Sequence, residues 1–343
     1  MKELTISNME AGQRFDKYLV KCLPNAGKSF LYKMLRKKNI TLNGKKADGS
    51  EKINEGDKVC IFFSDETFQN FAEKKEGRHV SQVADLSFKL NILYEDNNIL
   101  IVDKPSGVLS QKAKPTDISL IEYIMEYMTD RGYISCDSGN TFKPGICNRL
   151  DRNTSGIVVA GKTIRGLQVM SEAFRERTLA KYYICIVKGA FSKKCRVSGF
   201  LYKDEAGNKV TVYDSSDKNI HKDAVPIETE YFPICGNNDI TLLKVHLITG
   251  KTHQIRAHLK FLGHPIAGDL KYKDENINRQ FKRKYGIANQ MLHAYELVLP
   301  PLAELGLDDG LTVKTEIPPE FLAVLKGENL WEHGIPEALE AQH

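Results

Sequence analysis

Residues 146–163, ICNRLDRNTSGIVVAGKT, decide between two architectures. The second half, Gly156 to Thr163, satisfies the phosphate-binding pattern G-x-x-x-x-G-K-[ST]. A phosphate loop here would imply a doubly wound nucleotide-binding fold. However, such a loop follows an apolar strand, and its variable residues lend their backbone N–H groups to phosphate. The segment before Gly156 is polar, and the variable residues Ile157, Val158, Val159 and Ala160 themselves read as a buried strand. A strand commits its N–H groups to a ladder and cannot wrap a phosphate. Lys162-Thr163 is read as the end of a strand and the start of a helix. The chemistry is then sought in the first half, where Asp151 lies between Arg149 and Arg152.

Outward from this stretch, the apolar runs are short and β-rich: 99–102, 156–160, 182–187, 240–248 and 297–299. Helical spacing of apolar residues marks 119–128 and 164–176, and a further helix is expected over 253–262. Strands outnumber helices without alternating strictly with them. That favours an α+β domain built on a mainly antiparallel sheet.

The chain has 343 residues, enough for two domains. Its net charge of +5 is unevenly spread. Residues 1–64 hold 13 Lys and Arg against 7 Asp and Glu, an excess of six, which leaves −1 for the remainder. A localised basic excess is the footprint of nucleic-acid binding, although a solvated lysine-rich surface would look the same. Within this segment, Phe15, Tyr18, Leu19 and Cys22 define an amphipathic helix over 14–22. Ser29 is placed to cap a second helix, with Leu31, Met34 and Leu35 inside and Lys33, Arg36 and Lys37 outside. Short β runs follow at 40–42 and 59–63, the first ending in an Asn43-Gly44 turn.

The longest apolar runs are too short to cross a bilayer, and the N-terminal residues lack the apolar core of a signal peptide. Seven cysteines contain no C-x-x-C pair, so reduced thiols in a cytoplasmic protein are expected. His253, His258 and His264 invite a zinc reading. Their spacings of five and six point the side chains to diverging helix faces, and no metal is expected.

Residues 12–63, with LRKKNITLNGKKA as the most specific part, resemble the small RNA-binding module named after the fourth protein of the small ribosomal subunit. Four later stretches resemble, in order, the pseudouridine synthases of the RluA/RluC/RluD type: ILYEDNNILIVDKPSGVLS (92–110), NRLDRNTSGIVV (148–159), LAKYYICIVKG (179–189) and LITGKTHQIRAHLKFLGHPIAGDLKY (247–272). The resemblance implies an RNA-modifying isomerase that needs neither cofactor nor metal, most similar to enzymes of large-subunit (23S) ribosomal RNA. It assigns the nucleophilic carboxylate to Asp151, its guanidinium partner to Arg256 and a base-stacking tyrosine to Tyr183. Arg149 would fill the gap left by the flipped base. Asn148 stands where the family usually carries His. Lys104 in the Lys-Pro-Ser-Gly turn, Lys251 and His253 are expected to face RNA, as are Lys33, Arg36 and Lys37 in the first module. The expected division is an RNA-binding domain over 1–64, a linker over 65–87, a catalytic domain over 88–330 and a tail over 331–343, in a monomer. A transfer-RNA synthase, or a non-catalytic RNA-binding or assembly factor on the same fold, are the alternatives. A nucleotide hydrolase would instead predict magnesium-dependent nucleotide binding.

Overall fold

A computed structural model describes residues 1–72, 88–134, 142–204, 209–331 and 334–340. They form two compact units. The first holds residues 1–102, 111–148 and 159–172; the second holds 103–110, 149–158 and 173–343.

The first unit opens with strand β1 (Lys2–Thr5), helices α1 (Phe15–Cys22) and α2 (Lys28–Arg36), and strands β2 (Ile40–Leu42), β3 (Lys45–Lys46) and β4 (Lys58–Ile61). The strands form a sheet in the order β1-β4-β2-β3. Helix α1 buries Phe15, Tyr18 and Leu19, and α2 buries Leu31, Met34 and Leu35, the faces expected from their spacing. The residue capping α2 is Gly27 rather than Ser29. Residues 65–72, expected as linker, form helix α3 (Asp65–Ala72), and its Phe68, Phe71 and Ala72 lie against this core. Aromatic packing explains the helix: Phe30, Phe63 and Phe71 make a cluster with ring centroids 4.8 to 6.2 Å apart. The rest of the expected linker, 73–87, lies outside the described residues.

The same unit continues through β5 (Asn91–Glu95), the start of β6 (Ile99–Lys104), α4 (Leu120–Asp130), β7 (Gly145–Ile146), the end of β8 (Ser155–Gly161) and most of α5 (Ile164–Glu176). Ser119 and Glu122 form a capping box that starts α4. Residues 157–160 are strand, as expected, and β7 pairs with the end of β8. Lys162 is buried. Its Nζ donates to Glu95 Oε1 at 2.5 Å and to the Asp96 carbonyl at 2.8 Å, while Thr163 Oγ1 accepts the Gly166 N–H at the start of α5. These partners account for the Lys-Thr pair without phosphate.

The second unit carries β9 (Ala180–Lys188), β10 (Cys195–Asp204), β11 (Lys209–Tyr213), β12 (Val225–Gly236), β13 (Ile240–Leu247), α6 (Gln254–Phe261), α7 (Glu275–Tyr285), β14 (Leu292–Leu299), β15 (Leu311–Lys314), α8 (Pro319–Gly327) and α9 (Ile335–Glu340). Its strands run in the order β11-β10-β12-β13-β9-β14-β8, with β15 also on β14. All pairs are antiparallel except β14 with β8. The fold is therefore α+β on a mixed, mainly antiparallel sheet, as expected. The parallel step explains Gly156: its φ is 112°, and a Cβ there would lie 2.3 Å from the Ala294 carbonyl oxygen.

Strands β10 to β12 escape the apolar-run reading because much of each is exposed or half-buried, so polar residues interrupt the runs. The expected tail is also corrected. Helix α9 buries Ile335 and Leu339, and the Leu339 carbonyl accepts a 2.6 Å bond from Lys244 Nζ. Lys244 pairs in turn with Glu296 at 2.9 Å, with both side chains fully buried.

Candidate active site

Asp151 sits on the loop that leads into β8, and the Lys104-Pro-Ser-Gly turn laces that loop on both sides. Lys104 Nζ donates to the carbonyls of Pro105 (2.9 Å), Val108 (2.9 Å) and Arg152 (3.1 Å). Gly107 N–H donates to the Arg152 carbonyl, and Arg152 Nε returns a 3.0 Å bond to the Gly107 carbonyl. Ser106 Oγ donates to Asn153 O, and Ser110 Oγ both donates to Leu150 O and accepts from Leu150 N–H. Downstream, Gln290 holds Thr154, and His293 bonds Ser155 at 2.8 Å. The carboxylate is thus carried by a backbone fixed immediately before and after it.

Arg256 reaches Asp151 from the buried face of α6. Its Nη1 lies 2.5 Å from Asp151 Oδ2. Its Nε and Nη2 meet Asp269 Oδ2 and Oδ1 at 2.6 and 3.0 Å. One guanidinium therefore grips a fully buried carboxylate with two nitrogens and offers a third to a carboxylate that is 27% exposed. Burial acts against the Arg256 charge, but Asp269 and Asp151 outweigh it and hold the pKa above the usual arginine value. Burial likewise opposes ionisation of Asp269. Arg256 and the N–H groups of Tyr272 and Lys271 reverse that and lower its pKa. Gly268, at φ 78°, makes the sharp approach to Asp269; a Cβ there would fall 2.1 Å from the Asn289 carbonyl oxygen. Asn278 clamps the same turn, accepting from Gly268 N–H and donating to the Asp269 carbonyl.

The start of α6 is fixed by Gln254. Its side chain donates to Glu228 O and Thr229 Oγ1 and accepts from Lys251 N–H and Thr249 Oγ1. Next to it, His253 has a left-handed backbone, with φ 53°. Its Nε2 faces Asp151 Oδ2 at 3.7 Å and its Nδ1 lies 3.0 Å from Tyr272 Oη. Tyr183, on β9, is buried. Burial, reinforced by the negative charge of Asp151, raises its pKa well above that of free tyrosine. At neutral pH it is a phenol, able to stack and to donate a hydrogen bond but not to act as an ionised base.

The expected residues divide into three groups. Asp151, Arg256 and His253 come together, and the Asp151 charge also acts on Tyr183. Asn148 turns inward, its Oδ1 accepting the Val159 N–H at 2.8 Å, while Arg149 is exposed and Lys251 is half-buried. Lys33, Arg36 and Lys37 are exposed on or at the end of α2. Lys104 requires a correction. It is fully buried and its three bonds to carbonyls use all the protons of an ammonium, so it braces the Asp151 loop rather than facing RNA. Burial pulls its pKa down to about 7 despite the attraction of Asp151 and Asp103. The three histidines serve separate environments: His258 is buried at Thr229 and Tyr231, and His264 meets the Lys188 carbonyl.

Asp269 and Tyr272 were not among the expected site residues. A signal for Asp269 exists in Gly268-Asp269, a carboxylate directly after a glycine that must turn sharply, within a stretch already marked for Arg256.

Residues 98–261 match the family model of RNA pseudouridylate synthase. An uncharacterized RNA pseudouridine synthase of Mycoplasma genitalium is 32% identical over 295 residues, covering 84% of this chain and 86% of that protein. The ribosomal large subunit pseudouridine synthase C of Pasteurella multocida is 31% identical over 306 residues, covering 87% and 85%. Among solved structures, human RNA pseudouridylate synthase domain containing 4 is similar in fold, with a TM-score of 0.56 at 23% identity over 69% of this chain and 92% of that one.

Proposed function

The chain belongs to the RNA pseudouridine synthase family, and we propose that it isomerises uridines of large-subunit ribosomal RNA to pseudouridine, with Asp151 as the nucleophile. The observation that carries this is the Asp151–Arg256–Asp269 array: an accessible carboxylate held against a buried guanidinium that a second carboxylate locks in place.

The reaction breaks the bond between uracil N1 and the ribose, turns the base and forms a bond from C5 to the same sugar carbon. N1 gains a proton and C5 loses one, so no redox partner or hydrolytic water is consumed. Asp151 serves as an ionised carboxylate whether it attacks the sugar, attacks the ring or draws a proton from the sugar. Stacked RNA would strip water from it and penalise its charge; Arg256 opposes that penalty at contact distance. A flipped uridine costs a few kcal/mol to extrude, and stacking on Tyr183 returns about 1–3 kcal/mol. In this reading Arg149, exposed beside the loop, occupies the vacated stack, and the half-buried Lys251 meets phosphate.

In this reading residues 1–64, extended by α3, dock on folded RNA through Lys33, Arg36 and Lys37. Residues 88–330 carry catalysis in a cytoplasmic monomer. The large-subunit substrate is supported by the named relatives at about 30% identity over most of the chain.

The test uses RNA tritiated at uridine C5, without metal or cofactor. Release from large-subunit ribosomal RNA by wild type and not by Asp151→Ala is expected. Release from transfer RNA alone would keep the chemistry and overturn the substrate. Tight binding without release would make the protein a binding factor.

A further inference from the structure

Two donors approach one oxygen of Asp151. Arg256 Nη1 meets Oδ2 at 2.5 Å, and His253 Nε2 faces the same atom at 3.7 Å. Oδ1 makes no hydrogen bond or ion pair among the described residues. What His253 can offer Oδ2 depends on which ring nitrogen carries the proton, and its other neighbour decides that. The Tyr272 hydroxyl, 3.0 Å from His253 Nδ1, can donate its proton there. When Nδ1 accepts from the phenol it carries no proton, and the neutral ring then holds its proton on Nε2, toward Asp151.

Charged groups on every side bear on the ring. Asp151 and Asp269 favour the imidazolium, whereas Arg256 and Lys271 disfavour it. Burial, the largest influence, keeps the His253 pKa below the usual 6.5. Burial likewise raises Tyr272 to about 12, so it remains a phenol. The left-handed backbone of His253 is unfavourable for a residue with a Cβ. It is held by Ala257 N–H on its carbonyl and by the Gln254 clamp that follows.

We propose that His253 is a positioning residue for the isomerisation: as the Nε2–H tautomer set by Tyr272, it shares Oδ2 of Asp151 with Arg256 and so presents Oδ1 to the uridine. This rests on the reading of Asp151 as the nucleophile. An arginine bond to one oxygen leaves the carboxylate free to rotate about its Cβ–Cγ bond. A second donor on that oxygen, arriving from another direction, fixes the plane. The 3.7 Å separation is about 0.7 Å longer than a hydrogen bond, a gap that a small ring rotation closes as RNA excludes water. At acid pH the imidazolium would pair with the carboxylate and draw charge from the nucleophile.

The experiment compares full-length wild type with His253→Asn, Tyr272→Phe and Asp151→Asn on the same tritiated RNA. Asparagine tolerates the left-handed backbone, so the turn is kept while the ring is lost. For His253→Asn the expected result is a fall of about 10–100-fold in kcat with KM changed less than about threefold. Tyr272→Phe should lose roughly fivefold to tenfold in kcat and move the acid limb of the kcat–pH profile. Nitrogen-15 NMR of the histidine rings, assigned with His253→Asn, should show His253 protonated at Nε2 and bare at Nδ1 at pH 7.5. Thermal unfolding of each variant separates loss of fold from loss of positioning. A wild-type rate in His253→Asn, or a ring protonated at Nδ1, overturns the proposal and leaves the Asp151 reading intact. If wild type itself releases no tritium, the Asp151 reading falls and the proposal falls with it.

Discussion

The basic residues of the N-terminal module and those packed around Asp151 are used in opposite ways. The side chains of Lys33, Arg36 and Lys37 are exposed and make no ion pair or hydrogen bond among the described residues. Arg256 and Lys104 are buried, and each spends three donor contacts on fixed acceptors. An exposed cation is screened and mobile; it can add affinity for a polyanion but cannot place an atom. A buried cation is held by its partners and sets geometry to within a few tenths of an ångström. The difference lies in desolvation rather than in residue type: burial makes an unpaired cation so costly that it persists only with partners whose positions then become fixed.

The contrast can be broken most sharply at the site. Asp151→Asn keeps the shape and removes the charge, and single-turnover tritium release should fall by about 10⁴-fold or more. Arg256→Lys retains the charge but supplies one nitrogen where three contacts to two carboxylates are needed. A loss of about 10²–10³-fold is expected, and near-normal turnover would show that charge alone suffices. Asp269→Asn leaves Arg256 facing Asp151 without its lock. Turnover should drop by roughly 10-fold to 100-fold while RNA affinity, read by filter binding, changes little.

The catalytic unit should also carry a pH signature absent from exposed cations. Burial lowers His258 to about 4 and His293 to about 3. Unfolded histidine titrates near 6.5, so below that pH the unfolded chain binds protons that the folded chain refuses. Stability is therefore complete above pH 6.5 and falls as pH falls toward the folded values, by about 1.4 kcal/mol per pH unit for each histidine. Urea unfolding at pH 6 and pH 5 should show that slope, and His293→Gln should reduce it by one histidine's share. The smallest effect belongs to the exposed face. Replacing Lys33, Arg36 and Lys37 with alanine should weaken RNA binding by about 10-fold at low salt and lower the slope of log K against log salt by roughly two to three. An unchanged slope would remove these residues from the RNA interface.

Much of this was legible in local patterns. Residues 157–160 read as a strand because four apolar residues follow a polar turn, and they form β8. Helix α5 spans the residues its spacing indicated, and α2 buries the face that leaves Lys33 and Arg36 outside. Four motifs in order pointed, by resemblance to a family, to Asp151 and Arg256. Strands β10 to β12 and helix α7 were not legible. Alternation blurs where a sheet face is half exposed, and α7 buries little beyond Ile277 and Phe281. Helix α9 reads as a tail because six residues are too few to show a period; burial of Ile335 and Leu339 holds it.

The sequence by itself determined the strand that excludes a phosphate loop and the amphipathic helices of the basic module. Each depends on neighbours a few residues apart, where periodicity and turn chemistry act. Only the tertiary structure decided what holds Asp151. Arg256 lies 105 residues from Asp151 in the chain, and Lys104 braces the Arg152 carbonyl across 48. Asp269 became the lock on Arg256 and Lys104 a buried brace because the chain folds back to bring those atoms within bonding distance. Partners at such separations leave no local pattern, since Coulomb and hydrogen-bond energies depend on distance in space and not on position along the chain.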